Sequence, residues 1–229
     1  MSEEKWLDKE IDPYWLIGEL RGTSLPRTKV GRRKLRLFAC GCCRLIWSNL
    51  SDARLRAAVN VAEQFADGNG TATELKAAGA AAHKTIAKNS RGFGEDDPNA
   101  QLHTAVEMAT SATTAKPLSA ALGMVMFPFP LAGYRGPPEE ANSLICDLLR
   151  DIFGNPFRSV SFSPSWRTDT TRSLARTMYD AREFSAMPIL ADALQDAGCD
   201  SADVLDHCRD PKQVHVRGCW VVDLVLGKA

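Results

Sequence analysis

Helix start signals recur along this chain and direct it towards a helical fold. Asp12-Pro13 and Asp97-Pro98 each place a capping side chain directly before a proline at the first helical position. Thr71 and Glu74 form a capping box, in which the hydroxyl accepts a backbone hydrogen bond and the carboxylate returns to the cap. Glu139 lies in the first turn of another predicted helix, where its charge complements the helix dipole. These signals predict an all-α protein.

Hydrophobic periodicity between the signals predicts one domain, a multi-helix, bundle-like array. We expect a short N-terminal helix over about 13–21 and core helices over about 32–50, 52–66, 72–89, 98–115, 138–153, 170–184, 188–197, 201–208 and 216–226. A Pro/Gly/aromatic loop is expected around 117–137 and an irregular segment around 154–168. The last segment fits a helix or a strand, and Gly227 as a C-cap favours the helix.

The composition gives no global bias towards nucleic acid or membranes. The 229 residues are 45% hydrophobic, enough for one substantial core, and 28 basic residues balance 28 acidic ones. The longest apolar stretch, 118–133, is too short to cross a bilayer and is broken by Pro128 and Pro130. The charged N-terminus lacks the apolar core of a signal peptide. We therefore expect a cytoplasmic protein without a membrane partner.

Cysteine placement is the densest chemical signal in the sequence. Three of the seven cysteines cluster at 40–43, and three more accompany two histidines within 199–219. An odd count in a chain without an export signal argues for reduced thiols or metal ligands over a disulfide framework.

Two of these groups together could form one metal site. A C-x-x-C pair and an H-x-x-x-C pair would supply the four ligands that zinc prefers in a closed tetrahedral site. The candidate ligands are Cys40, Cys43, His215 and Cys219, with His207 and Cys208 as alternates. The C-x-x-C pair lies inside a predicted helix, however, and cysteine is among the most buried residue types. Buried core thiols are therefore the favoured interpretation; no cofactor is expected, and zinc is the alternative.

A reactive thiol is a further alternative. Cys40 or Cys43 could act as a nucleophile if His207 or His215 came within hydrogen-bonding reach. No βαβ pattern surrounds the C-x-x-C pair, so thioredoxin-like chemistry is not indicated. The sequence also contains no P-loop, G-x-G-x-x-G, H-E-x-x-H or G-x-S-x-G motif, which disfavours an enzyme without excluding one.

A basic segment offers a candidate nucleic-acid contact. No acidic residue occurs between Glu19 and Asp52, and the cations there could engage phosphates. The candidates are Arg27, Lys29, Arg32, Arg33, Lys34 and Arg36. The segment lacks the interleaved aromatic residues of single-strand binders. The favoured alternative is pairing within the chain, with the acidic run over 180–210.

An apolar, proline-broken loop is the best candidate for a protein-binding surface. Its aromatic residues are Phe127, Phe129 and Tyr134. Exposed apolar loops often mark contact sites. The alternative is that this loop caps the helical core.

Four blocks of sequence carry a resemblance to a known set of proteins. They are R-K-L-R-L-F-A-C-G-C-C-R at 33–44, C-D-L-L-R-D-I-F-G-N-P-F-R at 146–158, I-L-A-D-A-L at 189–194 and H-V-R-G-C-W-V-V-D-L at 215–224. In these blocks the chain resembles an uncharacterised protein family of planctomycete-type bacteria. The resemblance implies a bacterial cytoplasmic protein, and it transfers no activity, cofactor or site residue.

These patterns favour a cytoplasmic helical interaction protein that acts by protein–protein contact and could belong to a multiprotein assembly. The second interpretation is a zinc-stabilised helical protein that binds nucleic acid through residues 27–44. The third is a thiol-dependent enzyme. Another protein is therefore the expected partner, and nucleic acid is the alternative.

Overall fold

The computed structural model of the chain describes residues 2–85, 100–126 and 138–228. Within these ranges the secondary structure is helical and contains no strand, so the all-α prediction is confirmed. The helices are α1 (Glu3–Leu7), α2 (Pro13–Gly22), α3 (Lys29–Leu45), α4 (Ala53–Ala66), α5 (Ala72–His83), α6 (Ala100–Ala112), α7 (Pro117–Met126), α8 (Pro138–Phe153), α9 (Asp169–Ala181), α10 (Met187–Asp196), α11 (Ala202–Arg209) and α12 (Trp220–Leu226). No helix in these ranges has the length and apolar content needed to cross a bilayer.

The loop predicted around 117–137 is wrong over its first part, where Pro117–Met126 form α7. Pro117 occupies the first helical position, and Pro117, Ala120, Ala121 and Met124 are buried at i, i+3, i+4 and i+7, the spacing of one helix face. The rest of this predicted loop lies outside the described residues.

The predicted helices occur close to their expected positions, with four further differences. The helix expected over 72–89 ends at His83. α1 was not predicted, because a helix of little more than one turn carries almost no periodic signal. The helix expected over 32–50 begins earlier, at Lys29, and ends at Leu45, before a 3-10 turn at Trp47–Asn49. The final segment is helical from Trp220 only, since residues 216–219 form a turn.

The chain divides into two compact units. The sequence predicted one domain. We call Asp8–Cys146 the central unit, and Met1–Leu7 together with Asp147–Ala229 the terminal unit. The boundary falls within α8, whose last residues belong to the terminal unit.

The central unit is organised around α3. Every residue of this helix from Lys34 to Cys43 is buried, because α4, α6 and α7 pack against it. Thr28 is the N-cap of α3, and its hydroxyl accepts from the N–H of Gly31 at 2.9 Å. This helix therefore has the central position that its apolar character predicts.

The terminal unit has its own apolar interior. α9, α10, α11 and α12 contribute most of it, with Tyr179, Leu190 and Val222 among the buried side chains. α1 also belongs to this unit: Arg150 donates from Nε to the carbonyl of Trp6 at 2.9 Å. The candidate site of the protein lies in this unit.

Candidate metal centre

A fully buried carboxylate, Asp151, lies in the last turn of α8. Its Oδ2 accepts a hydrogen bond from the backbone N–H of Val216 at 3.0 Å. Its Oδ1 lies 2.8 Å from Nδ1 of His215 and 3.2 Å from Nε2 of His207. One oxygen thus anchors the chain that follows α11, while the other faces both imidazoles.

A tight turn places Cys219 opposite this carboxylate. The N–H of Cys219 donates to the carbonyl of Val216 at 2.9 Å. Gly218, at the third position of the turn, has φ +102°, a conformation that favours glycine and is typical of a type II turn. Arg217 lies over the ring of Tyr179 in α9, with 4.5 Å from its guanidinium carbon to the ring centroid. The turn is therefore held in place next to α12, whose N-cap is Cys219.

The donor atoms of four residues converge on one point. Nε2 of His207 lies 3.3 Å from Sγ of Cys219, and Nδ1 of His215 lies 3.9 Å from the same sulfur. One donor atom from each of Asp151, His207, His215 and Cys219 lies within 4.8 Å of all the others. In tetrahedral zinc sites, ligand bond lengths imply about 3.3 Å between two N or O donors and about 3.5 Å between N and S. The two O–N edges, 2.8 and 3.2 Å, are somewhat shorter than this, and the two N–S edges, 3.3 and 3.9 Å, lie on either side of it, so this buried group could hold a metal ion.

The same geometry does not form a catalytic triad. In a triad, one imidazole nitrogen faces the nucleophile and the other faces the carboxylate. Here Nε2 of His207 faces both Cys219 and Asp151, and Nδ1 of His215 also faces both. Neither ring can therefore relay a proton from the thiol to the carboxylate, whereas convergence of single nitrogens is the arrangement of a chelate.

Burial and hydrogen bonding act in opposite directions on the two acidic members. Burial alone would raise the pKa of Asp151, but hydrogen bonds from His207 and His215 outweigh it, and the pKa is lowered. Burial raises the pKa of Cys219 well above its ordinary value, and the nearby Asp151 carboxylate adds to the rise. Without a metal, the site therefore holds a carboxylate and a protonated thiol.

Aromatic packing encloses the two histidines. The rings of His207 and His215 meet edge to face with 4.9 Å between centroids, and Trp220 lies 5.1 Å from His207. Gly154, directly after α8, has φ +66° and leaves room for the Trp220 indole, which a Cβ would approach to 3.2 Å. Nε2 of His215 is the ring nitrogen that does not face Asp151 or Cys219, and it is buried without a hydrogen-bond partner among the described residues. The ring is thus held by its Nδ1 contacts and by packing.

Part of the predicted ligand set meets in this group. His207, His215 and Cys219 belong to it, while Cys208 is buried beside His207 and does not. Cys40 and Cys43 are not members either, since they lie in α3 of the central unit.

Asp151 is the member that sequence reasoning missed. The available signal was a carboxylate on the apolar face of α8, one turn after Leu148 and next to Ile152, both fully buried. A charged residue at such a position requires a partner.

The cysteines of α3 are core thiols, as the favoured interpretation expected. Cys40, Cys42 and Cys43 are at most 1% exposed and unpaired in disulfides. Burial raises the pKa of all three, and the Glu63 carboxylate adds to the rise at Cys40. Neither accessibility nor ionisation therefore favours a nucleophile at Cys40 or Cys43.

The fold divides the basic segment in two. Arg33 pairs with Asp67 at 3.0 Å, and Arg36 is buried where it donates to the carbonyls of Ala112 and Thr114. Lys34 is 9% exposed. The residues Arg27, Lys29 and Arg32 are exposed. The pairing partners that the structure gives to Arg33 and Arg36 belong to the central unit, not to the acidic run over 180–210.

The predicted protein-binding aromatics, Phe127, Phe129 and Tyr134, lie outside the described residues. Comparison of the chain with protein-family models, with curated proteins and with solved structures gave no match.

Proposed function

We propose that this chain is a zinc-stabilised helical protein that acts by binding rather than by catalysis. The observation that carries the proposal is the convergence of four donor atoms, from Asp151, His207, His215 and Cys219, at edge lengths close to those of a tetrahedral zinc site. Two imidazole nitrogens, one thiolate and one carboxylate oxygen form a mixed ligand set that suits zinc.

The number of ligands supports a structural role for the ion. Structural zinc sites have four protein ligands, whereas catalytic sites keep one position open for water or substrate. All four positions would be filled here, and Asp151 and Cys219 are fully buried. The ion would join α8, α11 and the turn before α12, so its binding energy would contribute directly to the stability of the terminal unit.

The ligand chemistry also agrees with the expected location. Binding would replace the proton on Cys219 with the metal, because only a thiolate is a strong ligand. Thiolates survive in reducing compartments, and the expected cytoplasmic location provides one. The predicted function by protein–protein contact fits a closed site, and it stays a prediction.

Cobalt substitution tests the proposal. Purified protein is stripped of metal with a chelator and titrated with Co²⁺, which reports tetrahedral geometry through intense d–d bands and thiolate ligation through a sulfur-to-cobalt charge-transfer band. We expect both features at one equivalent, and displacement of Co²⁺ by Zn²⁺. Cys219→Ser should remove the charge-transfer band, and Asp151→Asn should weaken binding by at least tenfold.

Cys208→Ala is the matched control, because Cys208 is buried next to His207 but lies outside the ligand group. This variant should keep both spectral features. Retention of the charge-transfer band in Cys219→Ser, or its loss in Cys208→Ala alone, would contradict the proposed ligand set. Absence of bound zinc in the freshly purified protein, together with no cobalt spectrum, would contradict the site itself.

A further inference from the structure

Two exposed aromatic rings lie at the start of α2, in the central unit. Tyr14 is 47% exposed and Trp15 is 64% exposed. Large rings so accessible to solvent are uncommon outside contact surfaces, since stacking or burial would recover their apolar area. Helical phase places Gly18 and Gly22 between the rows that begin at these two rings. A Cβ added to either glycine would meet no atom of the described residues within 4 Å.

Exposed cations follow these rings along α2 and in the segment after it. Arg21 lies seven residues after Tyr14, two turns along the same face of α2, and is exposed. Arg27, Lys29 and Arg32 follow at the end of the 3-10 turn and in the first turn of α3, and all three are exposed. We call these six residues, Tyr14, Trp15, Arg21, Arg27, Lys29 and Arg32, the aromatic–basic corner.

The cations of the corner differ from the two arginines that follow them, which are bound within the fold. Arg33 and Arg36, which follow directly, are bound to Asp67 and to backbone carbonyls. Among the described residues, the structure assigns no ion pair to the four corner cations. Asp12 is occupied as the cap of α2, where it accepts from the N–H of Tyr14 at 2.8 Å, and Glu19 lies at the edge of the α2 face. Three of these cations lie near the positive end of the α3 dipole, and none has a carboxylate partner among the described residues. This part of the surface therefore attracts anions.

Hydrogen bonds fix the backbone that connects α2 to α3. Thr23 donates from its hydroxyl to the carbonyl of Leu20 at 2.7 Å and accepts from the N–H of Leu25 at 3.1 Å. Thr28 repeats the arrangement by donating to the carbonyl of Leu25 at 2.9 Å. Arg32 donates from Nη1 to the backbone carbonyl of Arg27 at 2.6 Å, which holds the Arg32 guanidinium against the 3-10 turn. The backbone that carries Arg27, Lys29 and Arg32 is therefore preformed, and binding need not order it.

We propose that single-stranded nucleic acid binds at the aromatic–basic corner. Bases would stack on Trp15 and Tyr14, and phosphates would pair with Arg21, Arg27, Lys29 and Arg32. Exposed rings together with unpaired cations are the combination that single-strand binders use, because every base has a face that stacks and every linkage carries a charge. An acidic peptide could use the cations but gains no comparable stacking from the rings. This proposal does not depend on the metal site, which lies in the terminal unit.

Fluorescence anisotropy with a labelled oligothymidylate or oligouridylate tests the proposal on the full chain. Trp15→Ala should weaken binding by about tenfold, the loss of one stacked base, while Trp15→Phe keeps most of the affinity. Removing three cations together, in Arg27→Gln, Lys29→Gln, Arg32→Gln, should make the slope of log affinity against log salt shallower by about 2.

A matched triple variant distinguishes this surface from general charge attraction. Lys76, Lys84 and Lys116 are exposed cations of the central unit outside the corner. Their joint change to Gln should leave affinity and salt slope unchanged. Equal weakening by the two triples, full affinity in Trp15→Ala, equal displacement by polyglutamate, or absence of binding at low salt would each overturn the proposal. Unchanged cobalt spectra and melting of the corner variants would show that these effects belong to the corner alone.

Discussion

Single residues set how closely neighbouring segments approach in the central unit. Gly31, in the first turn of α3, lies against the 3-10 turn at Leu25–Arg27, and a Cβ at this position would overlap the carbonyl oxygen of Leu25. A backbone atom cannot move aside as the end of a flexible side chain can. The absence of a side chain at Gly31 therefore allows α3 to pack closely against the 3-10 turn that precedes it.

Gly31→Ala should destabilise the protein by about 1–3 kcal/mol, the usual cost of overpacking. Gly18→Ala, in the interior of α2, is the control, since its Cβ would meet no atom within 4 Å in the part of the chain that the structure describes. There alanine should stabilise by about 0.5–1 kcal/mol, because it restricts the unfolded chain. Urea unfolding of both variants measures the difference. Equal effects of the two substitutions would show that helix propensity, and not the contact with Leu25, controls Gly31.

At the scale of elements, α1 is attached to a unit that is distant from it in sequence. Trp6 is 1% exposed, and Arg150 in α8 binds its carbonyl. Glu3 accepts from the side-chain amide of Asn155 at 2.7 Å and pairs with Arg158. A helix of five residues is unstable in isolation, so these contacts must hold α1 in place.

Trp6→Ala should cost about 3–5 kcal/mol in the terminal unit, the range for removal of a buried large aromatic side chain. Leu7→Ala is the matched control in the same helix, because Leu7 is 49% exposed and should change stability by less than about 1 kcal/mol. Thermal and urea unfolding of the two variants give the comparison. A similar small loss in both would mean that α1 contributes little to the unit.

At the scale of the whole molecule, the two units differ in the interactions that stabilise them. The proposed zinc site lies entirely within the terminal unit, since Asp151 and the three C-terminal ligands all belong to it. The central unit is held by apolar packing around α3 and by the buried Arg36. Removal of a metal should therefore affect one unit selectively.

Chelation should lower hydrogen-exchange protection in α11 and α12 while α3 and α4 keep theirs. A ligand present at a hundredfold excess over its dissociation constant stabilises its folded site by about 2.7 kcal/mol, so exchange through unfolding of this unit should accelerate by about a hundredfold. Exchange followed by mass spectrometry, with and without chelator, resolves the two units. Cys219→Ser should show no further response to chelator. Uniform loss of protection across both units would contradict a metal confined to the terminal unit.

Local sequence determined the helices. Asp12 caps α2, and Thr71 with Glu74 forms the predicted capping box of α5, because these interactions connect residues only two or three positions apart. The apolar run of α3 likewise predicted buried thiols. The C-terminal grouping of His207, His215 and Cys219 was also visible in the sequence as a candidate for metal binding.

Only the tertiary structure decided which residues meet. It joins the C-terminal histidines and Cys219 to Asp151, 64 positions before His215, and leaves Cys40 and Cys43 in the core of the other unit. It also divides the basic segment, burying Arg36 and exposing Arg27, Lys29 and Arg32 after a helix, α2, that carries two exposed rings. Caps and periodicity act over a turn or two of helix, whereas these juxtapositions depend on how whole helices pack. The sequence alone therefore determined the elements, and packing decided the sites.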